Sequence, residues 1–241
     1  MTTLSRGPYQ HGKALYESIA PKSSDSSTKA TATDTEFNNA LHLKYWKRCF
    51  KSLLPNAYQS NDSTRMTLAF FILSALDLLG EGADKLPAKE RNGYKDWILS
   101  CQHPITGGFC GSPNHRLPDG AYEGTQNGRK PDYEPASLTA TFFAMLNMNF
   151  VGSITQANRT GMWKWLKTLQ RQDGSFGEMV TAQGEIYGSR DMRICLCAAA
   201  VRWMLRLDPS FGERKGDDID VDALVKHITN SEVCGTGPMA A

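Results

Sequence analysis

The residue types that could bind a metal ion lie closest together at Cys101, His103 and Cys110. Thiolate and imidazole groups are the ligands that zinc prefers, so this cluster is the first place to look for metal chemistry. Its spacing differs from that of a zinc finger, in which about two to four residues separate paired cysteines. Cys101 also falls on the apolar face of a predicted helix, beside Trp97 and Ile98. The pattern therefore favours cysteines packed in a core over a metal site.

Two further patterns resemble functional motifs but lack the geometry that those motifs need. Cys195 and Cys197 are two residues apart on a predicted helix, so their side chains do not face the same way. Gly107-Gly108 follows a helix, whereas a phosphate-binding loop connects a strand to a helix. The six cysteines are irregularly spaced, and most lie in apolar helical stretches. This distribution is typical of reduced, buried thiols in a cytoplasmic protein and not of a disulfide framework.

Arg193 is an arginine near the start of a predicted helix that is rich in apolar residues. It lies in the stretch from Asp191 to Leu207, in which most of the other residues are apolar. Burying an arginine costs free energy unless it has an ionic partner or faces a wet cavity. Asp191 could be that partner, and it could equally be the N-terminal cap of the helix.

The composition of the chain excludes several function classes. Its 241 residues include 40% hydrophobic ones, enough for one substantial core. The 27 basic and 25 acidic residues are mixed along the chain, which is no electrostatic footprint for a nucleic acid. No apolar run approaches the roughly 20 residues of a membrane span, and the N-terminus lacks the apolar core of a signal peptide. We therefore expect a cytoplasmic protein without a membrane span.

The N-terminal region divides into a polar tail and an amphipathic helix. Residues 1–35 are rich in Ser, Thr, Ala, Lys and Asp, and cannot bury enough apolar surface to fold, so we predict a disordered tail. Order is predicted to begin near Phe37 with a helix that ends at Pro55. Its apolar residues recur at helical spacing: Leu41, Tyr45, Trp46, Cys49, Phe50 and Leu53.

A unit of two helices and a Gly-Phe turn recurs along the rest of the chain. Phe142-Phe143 follows Phe70-Phe71 by 72 residues, and Trp165-Leu166 follows Trp97-Ile98 by 68. The corresponding turns are Gly107-Gly108-Phe109 in the first copy and Asp173-Gly-Ser-Phe-Gly177 in the second. A third copy consists of two helices, Asp191 to Leu207 and Asp220 to Ser231. The first helix of each unit is apolar all round, which predicts burial. Such units stack into a two-layer helical array, so the predicted fold class is all-α. The segment 107–135, rich in Gly and Pro, is predicted to be a surface loop or an insertion.

Four segments of the chain carry a resemblance to a known family: His42-Leu-Lys-Tyr-Trp-Lys-Arg-Cys, Ser63-Thr-Arg-Met-Thr-Leu-Ala-Phe-Phe-Ile-Leu-Ser-Ala-Leu-Asp, Trp165-Leu-Lys-Thr-Leu-Gln-Arg-Gln-Asp-Gly-Ser-Phe-Gly and Ser189-Arg-Asp-Met-Arg-Ile-Cys-Leu-Cys-Ala. They resemble successive segments of protein prenyltransferase β subunits, most closely the fungal type I geranylgeranyl enzymes. The resemblance implies an α/α toroid, in which inner helices surround a funnel-shaped cavity and each has an outer partner. It implies a partial toroid domain over residues 36–231 and a divergent tail over residues 232–241.

The resemblance also implies roles for individual residues. Farnesyltransferases have Trp at the position of Thr67, and the smaller side chain implies room for a longer lipid at the floor of the funnel. By the same carry-over, Phe71, Phe142 and Arg193 would also contact the lipid, although ordinary core packing explains the two phenylalanines equally well. Residues implied to contact the peptide substrate are Ser63, Ser137 and Thr139.

The chemistry that the family implies depends on residues that this sequence lacks. Family members use zinc, held by an Asp-x-Cys motif and a later His, to activate the substrate thiol. The chain has no Asp-x-Cys and no His after His227, and the family's basic diphosphate cluster is also missing. We therefore expect a C-terminally truncated and catalytically incomplete chain. The family's cofactors are zinc and possibly magnesium. This chain lacks the Asp-x-Cys motif and the later His, so it is not expected to bind zinc through them.

The implied partners are a prenyltransferase α subunit, geranylgeranyl diphosphate, and proteins with a C-terminal CaaX motif such as small GTPases. Three alternatives to a geranylgeranyltransferase β subunit come from the sequence. A farnesyltransferase β subunit would share the fold, and a non-catalytic helical repeat would only bind partners. A terpene cyclase of the same architecture would need an Asp-rich motif, and the chain has none.

Overall fold

The computed structural model describes residues 37–51, 61–113, 134–181, 183–208, 211 and 217–231. Within these ranges the chain forms seven α-helices and one β-hairpin, which confirms the all-α prediction apart from the hairpin. The helices are α1 (Asn39–Lys51), α2 (Arg65–Leu78), α3 (Ala88–Ser100), α4 (Leu138–Val151), α5 (Arg159–Thr168), α6 (Met192–Leu205) and α7 (Val221–Asn230). The hairpin pairs β1 (Met179–Val180) with β2 (Ile186–Tyr187) in antiparallel register. No helix in the described ranges is long and apolar enough to cross a membrane.

The helices form two rows. The inner row consists of α2, α4 and α6, in which α4 packs between the other two. In the outer row, α3 packs against α4 and α5 packs against α6, so an outer helix contacts the inner helix of the following unit. We call α2, α3 and the turn at Phe109 the first unit, and α4, α5 and the turn at Phe176 the second unit. The predicted two-layer array is confirmed.

Polar side chains fix where four of the helices begin. Ser137 caps α4 by accepting a hydrogen bond from the Ala140 N–H, and Asn158 caps α5 by accepting one from Gly161. Asp191 caps α6 and Asp220 caps α7 in the same way. Such a cap contributes about 1 kcal/mol to stability, because it satisfies a backbone N–H that has no partner within the helix.

Each Gly-Phe turn places one phenylalanine in the core and one glycine against the next outer helix. Phe109 and Phe176 are fully buried. Gly107 and Gly174 have φ angles of 77° and 85°, in the left-handed region that favours glycine. A Cβ atom on Gly174 would lie 2.0 Å from the Ala223 carbonyl oxygen in α7. The turns therefore allow a close approach between consecutive units.

A glutamine at the end of each outer helix joins consecutive units. The Gln102 amide oxygen accepts a hydrogen bond of 3.0 Å from the backbone N–H of Asn158, the cap of α5. In the second unit, the Gln170 side chain accepts from the Asp220 N–H and donates to the Asp220 carbonyl oxygen, both at 2.7 Å. The two glutamines thus fix the start of the next outer helix.

The predicted all-round burial of the inner row is correct for α4 and wrong in part for α2 and α6. Phe71 and Leu78 of α2 are exposed, as are Leu196 and Trp203 of α6, because no described element covers those faces. The large apolar residues Leu41 and Tyr45 of α1 are also exposed. Leu43, Trp46 and Phe50 of the same helix are partly buried. The predicted tails (residues 1–35 and 232–241), most of the 107–135 loop, and Leu53 and Pro55 lie outside the described residues.

Candidate functional site

A cavity of about 500 Å³ lies where the first turns of α2 and α4 meet the segments that follow the two Gly-Phe turns. It brings together four of the seven residues that the resemblance assigns to substrate binding: Ser63, Thr67, Ser137 and Thr139. The other described residues that line it are Thr64, Cys110, Gly111, Pro135, Ala140, Glu178 and Met179. Two cavities of about 570 and 590 Å³ elsewhere in the described residues contain none of the seven. The smaller cavity is therefore the candidate functional site.

Main-chain hydrogen bonds position both helix starts at this cavity. The Met66 N–H donates to the Gly111 carbonyl oxygen at 2.9 Å, and the Leu138 N–H donates to the Glu178 carbonyl oxygen at 2.8 Å. Gly111 and Glu178 each come two residues after the buried phenylalanine of their unit. Each unit therefore returns to the start of its own inner helix and holds it in place.

Glu178 adds a side-chain network to this arrangement in the second unit. Its Oε1 accepts hydrogen bonds from the Ser137 hydroxyl at 2.5 Å and from the Thr139 N–H at 3.4 Å. Its Oε2 accepts from the Thr139 hydroxyl at 3.0 Å. A carboxylate at a helix N-terminus is favourable, because the first N–H groups of the helix carry a partial positive charge. Glu178 thus fixes both predicted peptide-binding hydroxyls of α4.

The thiols near this site have the character of buried core groups. Burial raises the pKa of Cys197 to about 11, and the Glu178 carboxylate is a second cause. Burial likewise raises the pKa of Cys101 to about 12. Thiols with such pKa values are protonated at neutral pH and are poor nucleophiles. The prediction that Cys101, Cys195 and Cys197 pack in the core is confirmed, since all three are buried.

Phe71 and Phe142 do not line the cavity and instead contact a row of aromatic rings between α2 and α4. The Phe71 ring lies 6.3 Å from that of Phe143, and the Phe142 ring lies 5.0 Å from the same residue. Phe70 also packs against Phe143, at 5.2 Å. The aromatic pairs that the repeat analysis placed at equivalent positions are therefore in contact. Phe71 is 52% exposed and Phe142 is partly buried against the core, so their role in lipid binding stays a prediction.

Arg193 also lies away from the cavity, and both explanations offered for Asp191 are correct. Asp191 accepts a hydrogen bond from the Arg193 N–H at 2.8 Å as the cap of α6, and forms an ion pair with the Arg193 guanidinium at 2.6 Å. The Arg193 side chain is 86% exposed, so it incurs no burial cost. Hydrogen bonds from Arg193 lower the pKa of Asp191 to about 2. The Nε and Nη2 atoms of the exposed guanidinium donate to the Asp191 carboxylate, so its role in lipid binding stays a prediction.

The described residues contain no group of three or more His, Cys, Asp or Glu side chains that could hold a metal ion. Cys101, His103 and Cys110 do not form such a group among these residues. The Nδ1 atom of His103 accepts hydrogen bonds from the N–H groups of Ile105 and Thr106. The donor set for the zinc that the family implies is therefore not present in the described part of the chain.

Residues 37–238 match the family model of the prenyltransferase alpha-alpha toroid domain. The chain belongs to this family. It is 29% identical over 188 residues to the geranylgeranyl transferase type-1 subunit beta of Arabidopsis thaliana, an alignment that covers 73% of this chain and 45% of the relative. It is 24% identical over 169 residues to the protein farnesyltransferase subunit beta of Pyricularia oryzae, with 69% of this chain and 27% of the relative covered.

A solved structure shows the same fold. The protein geranylgeranyltransferase-I of Candida albicans, solved in complex with GGPP, superposes with a TM-score of 0.61 and 23% sequence identity. The superposition covers 79% of this chain and 50% of that one. The predicted α/α toroid is confirmed, and the chain spans half or less of the length of the relatives it matches.

Sequence reasoning missed three residues that shape the site and its frame: Glu178, Gln102 and Gln170. The two glutamines could have been found from the repeat, because each comes two residues after the end of an outer helix and they are 68 residues apart, like Trp97 and Trp165. Glu178 could not be recognised from the repeat, since the equivalent position of the first unit is Gly111.

Proposed function

We propose that the chain is the β subunit of a protein geranylgeranyltransferase type I. Such an enzyme transfers a geranylgeranyl group from geranylgeranyl diphosphate to the cysteine of a C-terminal CaaX motif. The observation that carries the proposal is the presence of Thr67 on the same cavity as Ser63, Ser137 and Thr139. The resemblance assigns Thr67 to the lipid and the other three to the peptide. Their shared cavity supports a site where the two substrates meet.

Thr67 supports the choice of the longer lipid. A threonine side chain at this position leaves space that an indole would fill. The last isoprene unit of a twenty-carbon lipid can bury its apolar surface there, which is worth about 25 cal/mol per Å². A farnesyl group is one unit shorter and would leave that space empty. The cavity therefore favours geranylgeranyl over farnesyl diphosphate under this proposal.

The proposed reaction forms a bond between the cysteine sulfur and the first carbon of the lipid, while the bond from that carbon to the diphosphate oxygen breaks. Zinc would supply thiol activation in the family, but the described residues do not provide its ligands. We therefore assign no residue of this chain to that step. The proposed partners are an α subunit, the lipid diphosphate, and CaaX-ending proteins such as small GTPases.

The test is the lipid preference of a Thr67→Trp variant. We would measure the affinities of geranylgeranyl and farnesyl diphosphate for the chain mixed with a prenyltransferase α subunit. The variant should shift the affinity ratio toward farnesyl diphosphate by at least about tenfold, equivalent to roughly 1.4 kcal/mol. Thr229→Trp, at an exposed position at the end of α7, is the matched control and should leave the ratio unchanged. An unchanged affinity ratio in Thr67→Trp would show that this residue does not determine the preference for lipid length.

A non-catalytic helical-repeat binding module is the second candidate function. It is favoured by the exposed apolar side chains of α6, where Leu196 is 64% and Trp203 is 59% exposed. Exposed apolar patches of this kind mark partner surfaces. A binding module would show no preference between the two lipids, so the same experiment separates the candidates. A farnesyltransferase β subunit would instead prefer the shorter lipid before any substitution.

A further inference from the structure

We propose that Glu178 selects the substrate at the candidate site, because it takes the hydroxyl protons of Ser137 and Thr139 and leaves few hydrogen-bond donors among the side chains of the described residues that line the cavity. The favoured ligand is then a peptide side chain with an N–H or O–H donor, and an acidic peptide side chain is disfavoured. This inference rests on the proposed function and concerns the same cavity.

The two hydroxyl groups of α4 have their protons directed at Glu178. Ser137 and Thr139 each donate to one of its carboxylate oxygens. A hydroxyl has a single proton, so neither group has a donor left for a ligand. The Ser137 oxygen also accepts a hydrogen bond from the Ala140 N–H at 3.3 Å. The hydroxyl oxygens of Ser137 and Thr139 can therefore accept hydrogen bonds from a ligand but cannot donate them.

Two more lining residues direct their protons at the protein. The Thr64 hydroxyl donates to the Asn61 carbonyl oxygen at 2.9 Å. The Cys110 thiol donates to the Glu134 carbonyl oxygen at 3.4 Å. Six described lining residues carry an O–H or S–H group: Ser63, Thr64, Thr67, Cys110, Ser137 and Thr139. Four of these six protons are therefore committed within the chain.

The charge of the cavity acts in the same direction. Glu178 is the sole charged residue among the described residues that line it. A carboxylate accepts about four hydrogen bonds, and three acceptor positions of Glu178 are used by Ser137 and Thr139. A neutral amide or a hydroxyl of the ligand can donate to the remaining position. A side-chain carboxylate of the peptide would meet a negative charge and lone pairs there, so it binds less tightly than the matching amide.

Peptides that differ by one isosteric replacement test this selection. We would measure the affinities of CaaX peptides with Gln or Glu at each of the three positions after the cysteine, for the 241-residue chain mixed with an α subunit and geranylgeranyl diphosphate. At one position the Gln peptide should bind at least about tenfold more tightly than the Glu peptide. In Glu178→Gln, which keeps the shape but supplies N–H donors, that ratio should fall below about threefold. Glu185→Gln, an exposed site in the same hairpin, is the matched control and should keep the unsubstituted ratio.

A second variant separates selection from support of the fold. Thr139→Val removes a hydroxyl that donates to Glu178 but keeps the carboxylate, so the preference for Gln over Glu should persist. If Glu178 only supported α4, both variants would weaken all peptides equally and leave the ratio unchanged, and the inference would be overturned. Binding of both peptides with a ratio that Glu178→Gln does not alter would overturn it while the proposed function stands. Failure of the unsubstituted chain to bind any peptide would instead contradict the proposed function, and this inference with it.

Discussion

The first and second units share one frame and differ at one position of the candidate site. Both place a buried phenylalanine in the turn, and both hold the start of their inner helix through the carbonyl group two residues later. That residue is Gly111 in the first unit and Glu178 in the second. The main chain makes the same hydrogen bond in both cases, but only Glu178 carries a side chain into the cavity.

The reason for this difference is steric. A Cβ atom on Gly111 would lie 1.7 Å from the Ser63 carbonyl oxygen, so the first unit has no room for any side chain there. The second unit leaves that space open, and Glu178 fills it with a carboxylate. Buried aromatic rings and main-chain hydrogen bonds therefore maintain the repeat, while the chemistry at the cavity depends on which unit has room for a side chain.

Removing the buried phenylalanines should have the largest effect and should affect both units alike. Phe109→Ala and Phe176→Ala should each lower the free energy of unfolding by about 3–5 kcal/mol, because each leaves a cavity in the core. Chemical denaturation of the two variants would measure this. Tyr187→Ala, at an exposed aromatic residue of β2, should cost far less. A loss confined to one variant would show that the two turns are not equivalent supports.

Gly111→Ala changes the position at which the two units differ. It should lower the free energy of unfolding by about 3 kcal/mol, since the new methyl group overlaps the Ser63 carbonyl and forces the backbone to move. Glu178→Ala should cost less, about 1–2 kcal/mol, because it loses hydrogen bonds without creating overlap. Gly93→Ala is the control, because no atom lies within 4 Å of a Cβ built there. If Gly111→Ala were as stable as Gly93→Ala, the steric account of the first unit would be wrong.

The glutamines that join the units should have the smallest effect of the three. Gln102→Ala and Gln170→Ala should each cost about 1–2 kcal/mol, the value of one or two hydrogen bonds. Thermal unfolding would detect this as a modest fall in Tm. Gln172→Ala, an exposed neighbour of Gln170, should leave Tm unchanged. Equal effects from Gln170 and Gln172 would mean that the bond between Gln170 and Asp220 does not couple the units.

Periodicity predicted the helical array because the inner helices are long apolar runs and the outer ones carry Trp97 and Trp165 at equivalent places. Periodicity did not predict which faces of α2 and α6 are exposed, since a run of apolar residues does not show which face of a helix packs against another element. The grouping of Thr67 with Ser137 and Thr139 came from the family resemblance and not from spacing. Neither periodicity nor the resemblance predicted the role of Glu178, because that role depends on a hydrogen bond with Ser137, which is 41 residues away in the sequence.

The bonds from Gln102 to Asn158 and from Gln170 to Asp220 have a consequence for how the chain opens. Each joins the residue that follows one outer helix to the backbone N–H of the residue that caps the next outer helix, so that N–H is shielded from solvent as long as the two units stay together. In arrays where each unit contacts only its neighbours, stability is a sum over units and the junctions between them, so one junction can separate while the others stay closed. The amide hydrogens of Asn158 and Asp220 would then exchange with solvent when their junction separates, before the helices on either side melt. Those two amides are natural reporters of the order in which the junctions part.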